Sequence, residues 1–589
     1  MKKLLKTGLF ALLSVLLLAG TMPLAGQAEK PQFDYDQYTQ VDLGKDGMVA
    51  TAHPLASEIG AEVLRKGGNA IDASIAIQYA LNVTEPMMSG IGGGGFMMVF
   101  DGKTKETTIV NSRERAPQGA TPDMFLDENG KPIPFGVRST GGTAVGVPGT
   151  LKGLETAHEK WGTRPMQQLI SPAVKLADKG FPIDSVLAEA IADNQDILAR
   201  TPAKDVFLPN GQPLKEGDLL VQKDLAKTFK LIRAQGSDAF YNGEIGEALA
   251  QVVQDFGGSI TLEDLRNYDV TIDEPVWGDY QGYKIASMPP PSSGGVFLLQ
   301  MLKILDDFNL SQYDVKSVEK YHLLAEAMHL AYADRAAYAG DPEFVKVPVN
   351  GLLHPDYIKE RQQLISLDAA NQEVTAGDPW KFETDKANYT PTAQPNDRQY
   401  GETTHFTVTD RWGNVVSYTT TIEQLFGTGI MVPGYGIMLN NELTDFDAVP
   451  GGANEVQPNK RPLSSMTPTI VFEEDKPVLT VGSPGGPTII TSVLQTILHA
   501  IEYDMELKAA VEEPRIYTNN LNSYRYEDGI STETISRLNG MGHKFGPQTT
   551  TIGNVQSILI DHENGQFKGV ADSSRNGAAI GVDLNGKRK

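Results

Sequence analysis

Residues 401–421 read GETTHFTVTDRWGNVVSYTTT, and the reading of this stretch decides the fold. Thr404 to Asp410 and Val415 to Thr421 are rich in β-branched and aromatic residues, with Arg411-Trp412-Gly413 between them. A three-residue loop whose last residue is a glycine in the left-handed region fits such a hairpin. The register then sets Thr409 opposite Val415 and Thr403 opposite Thr421, so that two threonine hydroxyls face each other at a strand end. The preceding stretch, residues 381–402 (KFETDKANYTPTAQPNDRQYGE), is polar and broken by two prolines, and reads as an exposed loop. A cut between Glu402 and Thr403 would free a threonine α-amine beside its own hydroxyl, a nucleophile with a built-in base. By itself, Thr-Thr at a strand start is ordinary strand composition.

Four further stretches give the pair a context: 111–117 (NSRERAP), 439–446 (LNNELTDF), 458–466 (PNKRPLSSM) and 482–486 (GSPGG). With Thr403-Thr404-His405 they resemble, in order and from about Gly47 onward, the γ-glutamyltransferase (γ-glutamyl transpeptidase) family of N-terminal-nucleophile hydrolases. The resemblance implies an α+β fold, a four-layer αββα sandwich. It implies a precursor that cuts itself between Glu402 and Thr403 into a large part (29–402) and a small part (403–589) that stay together as one core. The activity implied is cleavage of γ-glutamyl amides through a γ-glutamyl ester on Thr403, with transfer to water, amino acids or peptides. Donors would be glutathione, glutamine or a related amide, with no metal and no organic cofactor.

Composition sets the bounds. Residues 1–28 carry Lys2, Lys3 and Lys6, an apolar run from Gly8 to Gly20, and small residues at Gly26-Gln27-Ala28, the pattern of a secretory signal peptide. Secretion without a stable membrane anchor is the expectation, because no later stretch approaches about 18 apolar residues. The absence of cysteine excludes a lipoprotein anchor, disulfides and thiolate metal sites. A formal net charge of −23 argues against nucleic acid and anionic lipid as partners. Length alone suggests about four domains; the resemblance replaces that with one sandwich.

Along the chain, residues 48–52 read as a strand, 53–66 as an amphipathic helix ended by Gly67-Gly68, and Asn69 with Asp72 as a cap on a helix from Ala70. Residues 90–95 (GIGGGG) match G-x-G-x-x-G but follow a helix and precede a strand. That order is the reverse of a dinucleotide site, so a tight backbone approach is expected instead. Strands 96–101 and 106–112 should form a hairpin delivering Arg113, and residues 150–270 read as mostly helical. A turn at 288–295 should precede a helix from Val296, and a helix should run from Pro487 through Met505. His322 and His329 lack H-E-x-x-H, so no zinc site is expected from their spacing.

In the chemistry, Thr403 is the candidate nucleophile, and its freed α-amine would titrate near ~7.7–8, suited to a general base. Thr421 would orient the hydroxyl. Gly485 and Gly486 precede a helix N-terminus and would form an oxyanion hole of unpaired N–H groups, each typically worth roughly 3–4 kcal/mol. The family resemblance implies that Arg113 holds the donor α-carboxylate with help from the Ser464 and Ser465 hydroxyls. It implies that Asp445, Glu442 and Glu423 hold the α-ammonium. Glu423 stands where several relatives have Asn, and Glu442 where some have Gln. Only residues 446–457 separate Asp445 from PNKRPLSS, too few for the lid some relatives carry. An open cleft that admits poly-γ-glutamate is therefore an expectation. The rivals are an amidase for acylated β-lactams on the same fold and a non-enzymatic secreted binding protein.

Overall fold

The hairpin forms with the expected register, Thr404 opposite Thr420 through Thr409 opposite Val415. The strands are Thr404–Asp410 and Val415–Thr421, and Gly413 closes the turn at φ +83°. At the tip the Asp410 carboxylate accepts from Trp412 N (2.8 Å) and Asn414 N (3.1 Å). It also accepts from Ala70 N (2.8 Å), which anchors the tip to the first turn of helix Ala70–Thr84. Described here is a computed structural model covering residues 35–384 and 401–584. The signal-peptide reading and most of the 381–402 loop lie outside the described residues.

Every residue of both hairpin strands is buried, because the hairpin occupies the middle of a seven-stranded antiparallel sheet. Across that sheet the order is Ala578–Val582, Gly47–Thr51, Thr404–Asp410, Val415–Thr421, Gly94–Phe100, Thr107–Asn111, Thr271–Asp273. A second seven-stranded sheet runs Val41–Gly44, Gln566–Ala571, Gln556–Asp561, Lys476–Gly482, Thr469–Glu473, Tyr283–Ser287, Val276–Tyr280. The faces between the sheets share one apolar cluster that includes Met48, Phe96, Met98, Phe472 and Ile558. Thr407 and Thr480 hydroxyls meet across it at 2.9 Å. The outer face of the first sheet packs on helices that include Pro54–Arg65, Ala70–Thr84 and Met166–Lys179. That of the second packs on Gly294–Asp306, Val318–Tyr338 and Ile489–Ile497. The result is the four-layer αββα sandwich, and both sheets take strands from either side of the Glu402–Thr403 bond.

Local readings mostly survive. Asn69 and Asp72 form a reciprocal capping box, and Arg113 follows strand Thr107–Asn111. The glycine run is a tight approach: a Cβ on Gly93 would lie 2.0 Å from the Thr421 carbonyl oxygen. Two helix limits differ. The helix after residues 288–295 starts at Gly294, because Gly294 and Gly295 pack where a side chain would strike the Met466 and Met288 backbones. The helix expected from Pro487 to Met505 is composite: a 3-10 turn Gly486–Thr488, an α-helix Ile489–Ile497 and a π turn Leu498–Glu502. The π turn carries the buried His499 ring, which meets Lys320 Nζ at 2.9 Å.

Candidate active site

Thr403 sits one residue before its strand and Thr421 ends the neighbouring one, so the sheet register alone brings them together. The Thr403 hydroxyl donates to Thr421 Oγ1 at 3.2 Å. Thr421 Oγ1 in turn donates to the Glu402 carbonyl at 2.8 Å and accepts from Glu423 N at 2.8 Å. Glu423 adopts φ +78°, an uncommon conformation for a non-glycine residue, and it is this turn that points its amide back at Thr421. The hydroxyl of Thr421 thus already polarises the carbonyl whose carbon Thr403 would attack.

The bond is gripped from the other side. Arg575 donates to the Thr403 carbonyl (3.1 Å) and to the Glu402 carboxylate (2.6 Å). The Thr404 hydroxyl donates to Glu85 (2.7 Å), whose carboxyl is pushed up to about 7 by burial, against the pull of Arg575. Gly485 and Gly486 have φ of +126° and +56°, and a Cβ on Gly486 would lie 2.8 Å from Gly401 N. The glycine pair therefore lies against the backbone just upstream of Glu402.

Of the ten residues named for catalysis and substrate binding, nine line one cavity of about 30 Å³; Gly485 lines an adjoining cleft of about 690 Å³ together with Gly401 and Glu402. Carboxylate oxygens of Glu423, Glu442 and Asp445 converge within 4.8 Å of one another, a spacing that suits an ammonium group. Arg113, expected to hold a donor carboxylate, is paired with protein groups in this structure. It is 1 % exposed and pairs with Glu442 and with Asp445 (2.5 Å), while also donating to the Pro462 (3.2 Å) and Leu463 (3.1 Å) carbonyls. In this structure the arginine and two of the acids pair with one another, with the Arg335 guanidinium lining the same cavity.

The two serines differ. Ser465 Oγ accepts from Arg335 Nη2 at 3.0 Å, whereas Ser464 Oγ accepts from Met466 N and shapes the turn. Arg335 was missed by sequence reasoning; it also donates to Ser293 Oγ (2.7 Å) and lines the cavity from helix Val318–Tyr338. Glu114 was quoted in a motif without a role. It is fully buried beside Arg113 (4.0 Å), and burial pushes its carboxyl up to about 8. Arg575 and Glu85 were not singled out either. Glu85 at least stands in a fully buried stretch, where an acid needs a partner, whereas Arg575 lies in the polar, mostly exposed run 572–576 and offers no such signal.

The segment 446–457 folds onto itself rather than over the cavity. Asn454 Nδ2 donates to the Asp445 carbonyl (2.7 Å), and Phe446, Ala448 and Val456 are buried with Phe125 and Leu443.

Comparison with known proteins is consistent with this geometry. The family model for gamma-glutamyltranspeptidase matches residues 56–582. The chain is 76% identical over 589 residues, all of both chains, to the glutathione hydrolase proenzyme of Bacillus subtilis strain 168. It superposes on the cephalosporin acylase of Bacillus halodurans with TM-score 0.82 at 27% identity, over 94% of this chain and 99% of the other. With the gamma-glutamyltranspeptidase of Helicobacter pylori the TM-score is 0.54 at 42% identity, over 57% of this chain and 96% of the other. Similarity along nearly its whole length, on a shared fold, makes this chain a member of the gamma-glutamyltranspeptidase family.

Proposed function

We propose that this chain is an exported precursor that cuts itself before Thr403 and then works as a γ-glutamyl hydrolase and transferase on glutathione and related amides. The observation that carries the reading is the relay from the Thr403 hydroxyl through Thr421 to the Glu402 carbonyl. In the cut, Thr403 Oγ1 bonds to the Glu402 carbonyl carbon and the carbon–nitrogen bond to Thr403 breaks. The hydroxyl proton ends on the freed α-amine. Water then hydrolyses the Glu402 ester, leaving a carboxylate and an N-terminal threonine. In turnover the same hydroxyl attacks the γ-carbonyl of the donor, with the α-amine as base and the Gly485–Gly486 amides as oxyanion donors. The donor's α-carboxylate takes Arg113 and its α-ammonium takes the Glu423, Glu442 and Asp445 group. The zwitterion thereby replaces contacts that those residues make with each other in the uncut chain.

The likeness to a glutathione hydrolase proenzyme supports this reading; water, amino acids and peptides are the proposed acceptors. Likeness to a cephalosporin acylase keeps the amidase reading alive, but the convergent acids beside Arg113 favour a donor with a free amino-acid end. The compact 446–457 segment favours donors that continue beyond the scissile amide, poly-γ-glutamate among them. The test is N-terminal sequencing of the smaller fragment, which should begin Thr-Thr-His-Phe, with glutamate release from glutathione assayed on the same sample. The Thr403→Ala variant should remain one inactive chain; efficient cutting of it would remove the proposed nucleophile.

A further inference from the structure

Helix Val318–Tyr338, on the outer face of the second sheet, carries a second buried polar cluster. His322, Glu326 and His329 are each no more than 2 % exposed and face His543, itself 3 % exposed, which follows helix Thr532–Gly540. Ligand atoms of His322, Glu326 and His543 lie within 4.8 Å of one another.

The hydrogen bonds around the cluster fix where its lone pairs point. His322 Nε2 lies 2.7 Å from the Ser366 carbonyl, which can only accept, so Nε2 carries the proton and Nδ1 faces inward as a lone pair. His543 Nε2 lies 2.8 Å from that Nδ1. On His329, Nε2 lies 3.0 Å from Thr518 Oγ1, whose own proton goes to the Asn520 carbonyl. The ring must therefore donate there, and its Nδ1 is also a lone pair. That Nδ1 lies 3.7 Å from Glu326 Oε1. Glu326 Oε2 accepts from Asn371 N, but Oε1 and His329 Nδ1 have no hydrogen-bond partner among the described residues. The His322 lone pair and a Glu326 oxygen thus meet His543 in a buried site, with the His329 lone pair beside Glu326 and the Nε2 proton of His543 facing His322. Leaving buried acceptors unmatched is costly; a cation would take up the free Glu326 Oε1 and the inward lone pairs, while His543, ligating through Nε2, would carry its proton on Nδ1, which has no hydrogen-bond partner among the described residues.

We propose that His322 Nδ1, His543 Nε2 and Glu326 Oε1 form a site for a divalent transition metal of the zinc class, with His329 Nδ1 available as fourth ligand. Imidazole and carboxylate donors without thiolate suit that class. The Ser366 carbonyl and Thr518 hydroxyl would serve as the outer partners that orient two of the rings. Spacing along the sequence gives no hint of the site, because His543 lies far beyond the helix. The metal would tie this helix to the C-terminal part of the chain. Further along the same helix, Tyr332 donates to the Pro487 carbonyl and Arg335 to Ser465 Oγ, both at the nucleophile's cavity. If the chain is cut before Thr403, the metal becomes a bridge between two chains; the site itself does not depend on that cut.

The probe is cobalt(II), added to the full-length protein after chelator treatment and buffer exchange. The expected result is one-to-one binding with visible ligand-field bands of four-coordinate intensity, displaced by zinc(II), and a rise in melting temperature with either metal. Glu326→Gln and, separately, His543→Gln should abolish both the bands and the thermal shift, with folding checked by near-ultraviolet circular dichroism. No cobalt uptake by the folded wild-type protein would overturn the proposal and leave a hydrogen-bonded histidine pair. So would unchanged one-to-one uptake by folded Glu326→Gln. Neither outcome bears on cutting before Thr403, which is read separately on a denaturing gel.

Discussion

Two buried arginines each sit between acidic side chains, and they are built to different ends. Arg515 binds Glu527 (2.9 Å) and Asp572 (2.8 Å). All four oxygens of those acids are occupied: Glu527 also accepts from Arg515 N and Ile552 N, and Asp572 from Val555 N and Ser574 N. Arg113 binds Glu442 and Asp445. There Glu442 Oε2 and both Glu114 oxygens find no hydrogen-bond partner among the described residues. A buried ion pair holds a fold together when its remaining lone pairs are satisfied. One with acceptors to spare, beside the proposed nucleophile, suits the role of receptor for an incoming charge.

The largest expected effect separates the two sites by stability. Arg515→Ala strands two buried acids and should cost about 3–5 kcal/mol in urea unfolding, while any folded fraction keeps its donor KM. A loss below ~1 kcal/mol would mean that the Arg515 cluster is not structural after all.

Next, Arg113→Lys keeps the charge but not the fork that reaches Glu442, Asp445 and two carbonyls. The donor should lose about 2–5 kcal/mol of binding, read as a rise in KM of roughly 30-fold or more, with self-cutting intact. Kinetics as mild as those of Arg515→Lys would erase the distinction.

A gentler pair uses isosteres. Glu442→Gln removes one negative charge from an acid-rich site and should leave the melting temperature level or raised while weakening donor binding. Asp572→Asn should lower it, costing about 1–3 kcal/mol. Identical shifts in both variants would show that the spare acceptors carry no functional meaning.

The smallest effect is in pH dependence. Burial raises Glu114 to about 8 when folded, above its ordinary unfolded value. The folded state therefore holds the extra proton between about 4.5 and 8, and stability falls as pH rises through that window. Asp572 has the opposite sign: against the upward push of burial, Arg515 and the Ser574 amide hold it below the usual carboxylate range. Its contribution is present above the unfolded value and lost on acidification. Glu114→Gln should flatten the decline of melting temperature between about pH 4.5 and 8 and leave the Asp572-linked acid limb unchanged.

How much of this was legible in the sequence depends on distance along the chain. The register of the 404–421 hairpin follows from β-branched alternation and Gly413, and it delivers the Thr403–Thr421 contact directly. The Asn69 cap and the backbone approach at Gly93 are likewise local properties. The charge pairings are not local. Arg335 stands on a helix buried on nearly every side, and its tie to Ser293 and Ser465 joins residues far apart in the sequence. The sequence marks Arg113 as a candidate through its motif, but not that Glu442 and Asp445 pair with it. The left-handed Glu423 turn, which aims an amide at Thr421, leaves no compositional trace in a residue that is not glycine.

The interleaving of strands from both sides of Thr403 in both sheets has a consequence for assembly order. While the chain is continuous, the two sides meet at the effective concentration set by their connection, and closing the sheets is a unimolecular event. Once the bond is cut, rebuilding either sheet needs two separate molecules, and recovery after denaturation becomes a matter of collision frequency. The hydroxyl relay at the bond exists only after the sheets have closed. A cut before Thr403 that uses this relay would therefore follow folding, and it would discard the advantage that folding used. Under the proposed cut, maturation would act as a ratchet: the two-part enzyme would persist by unfolding slowly rather than by refolding readily.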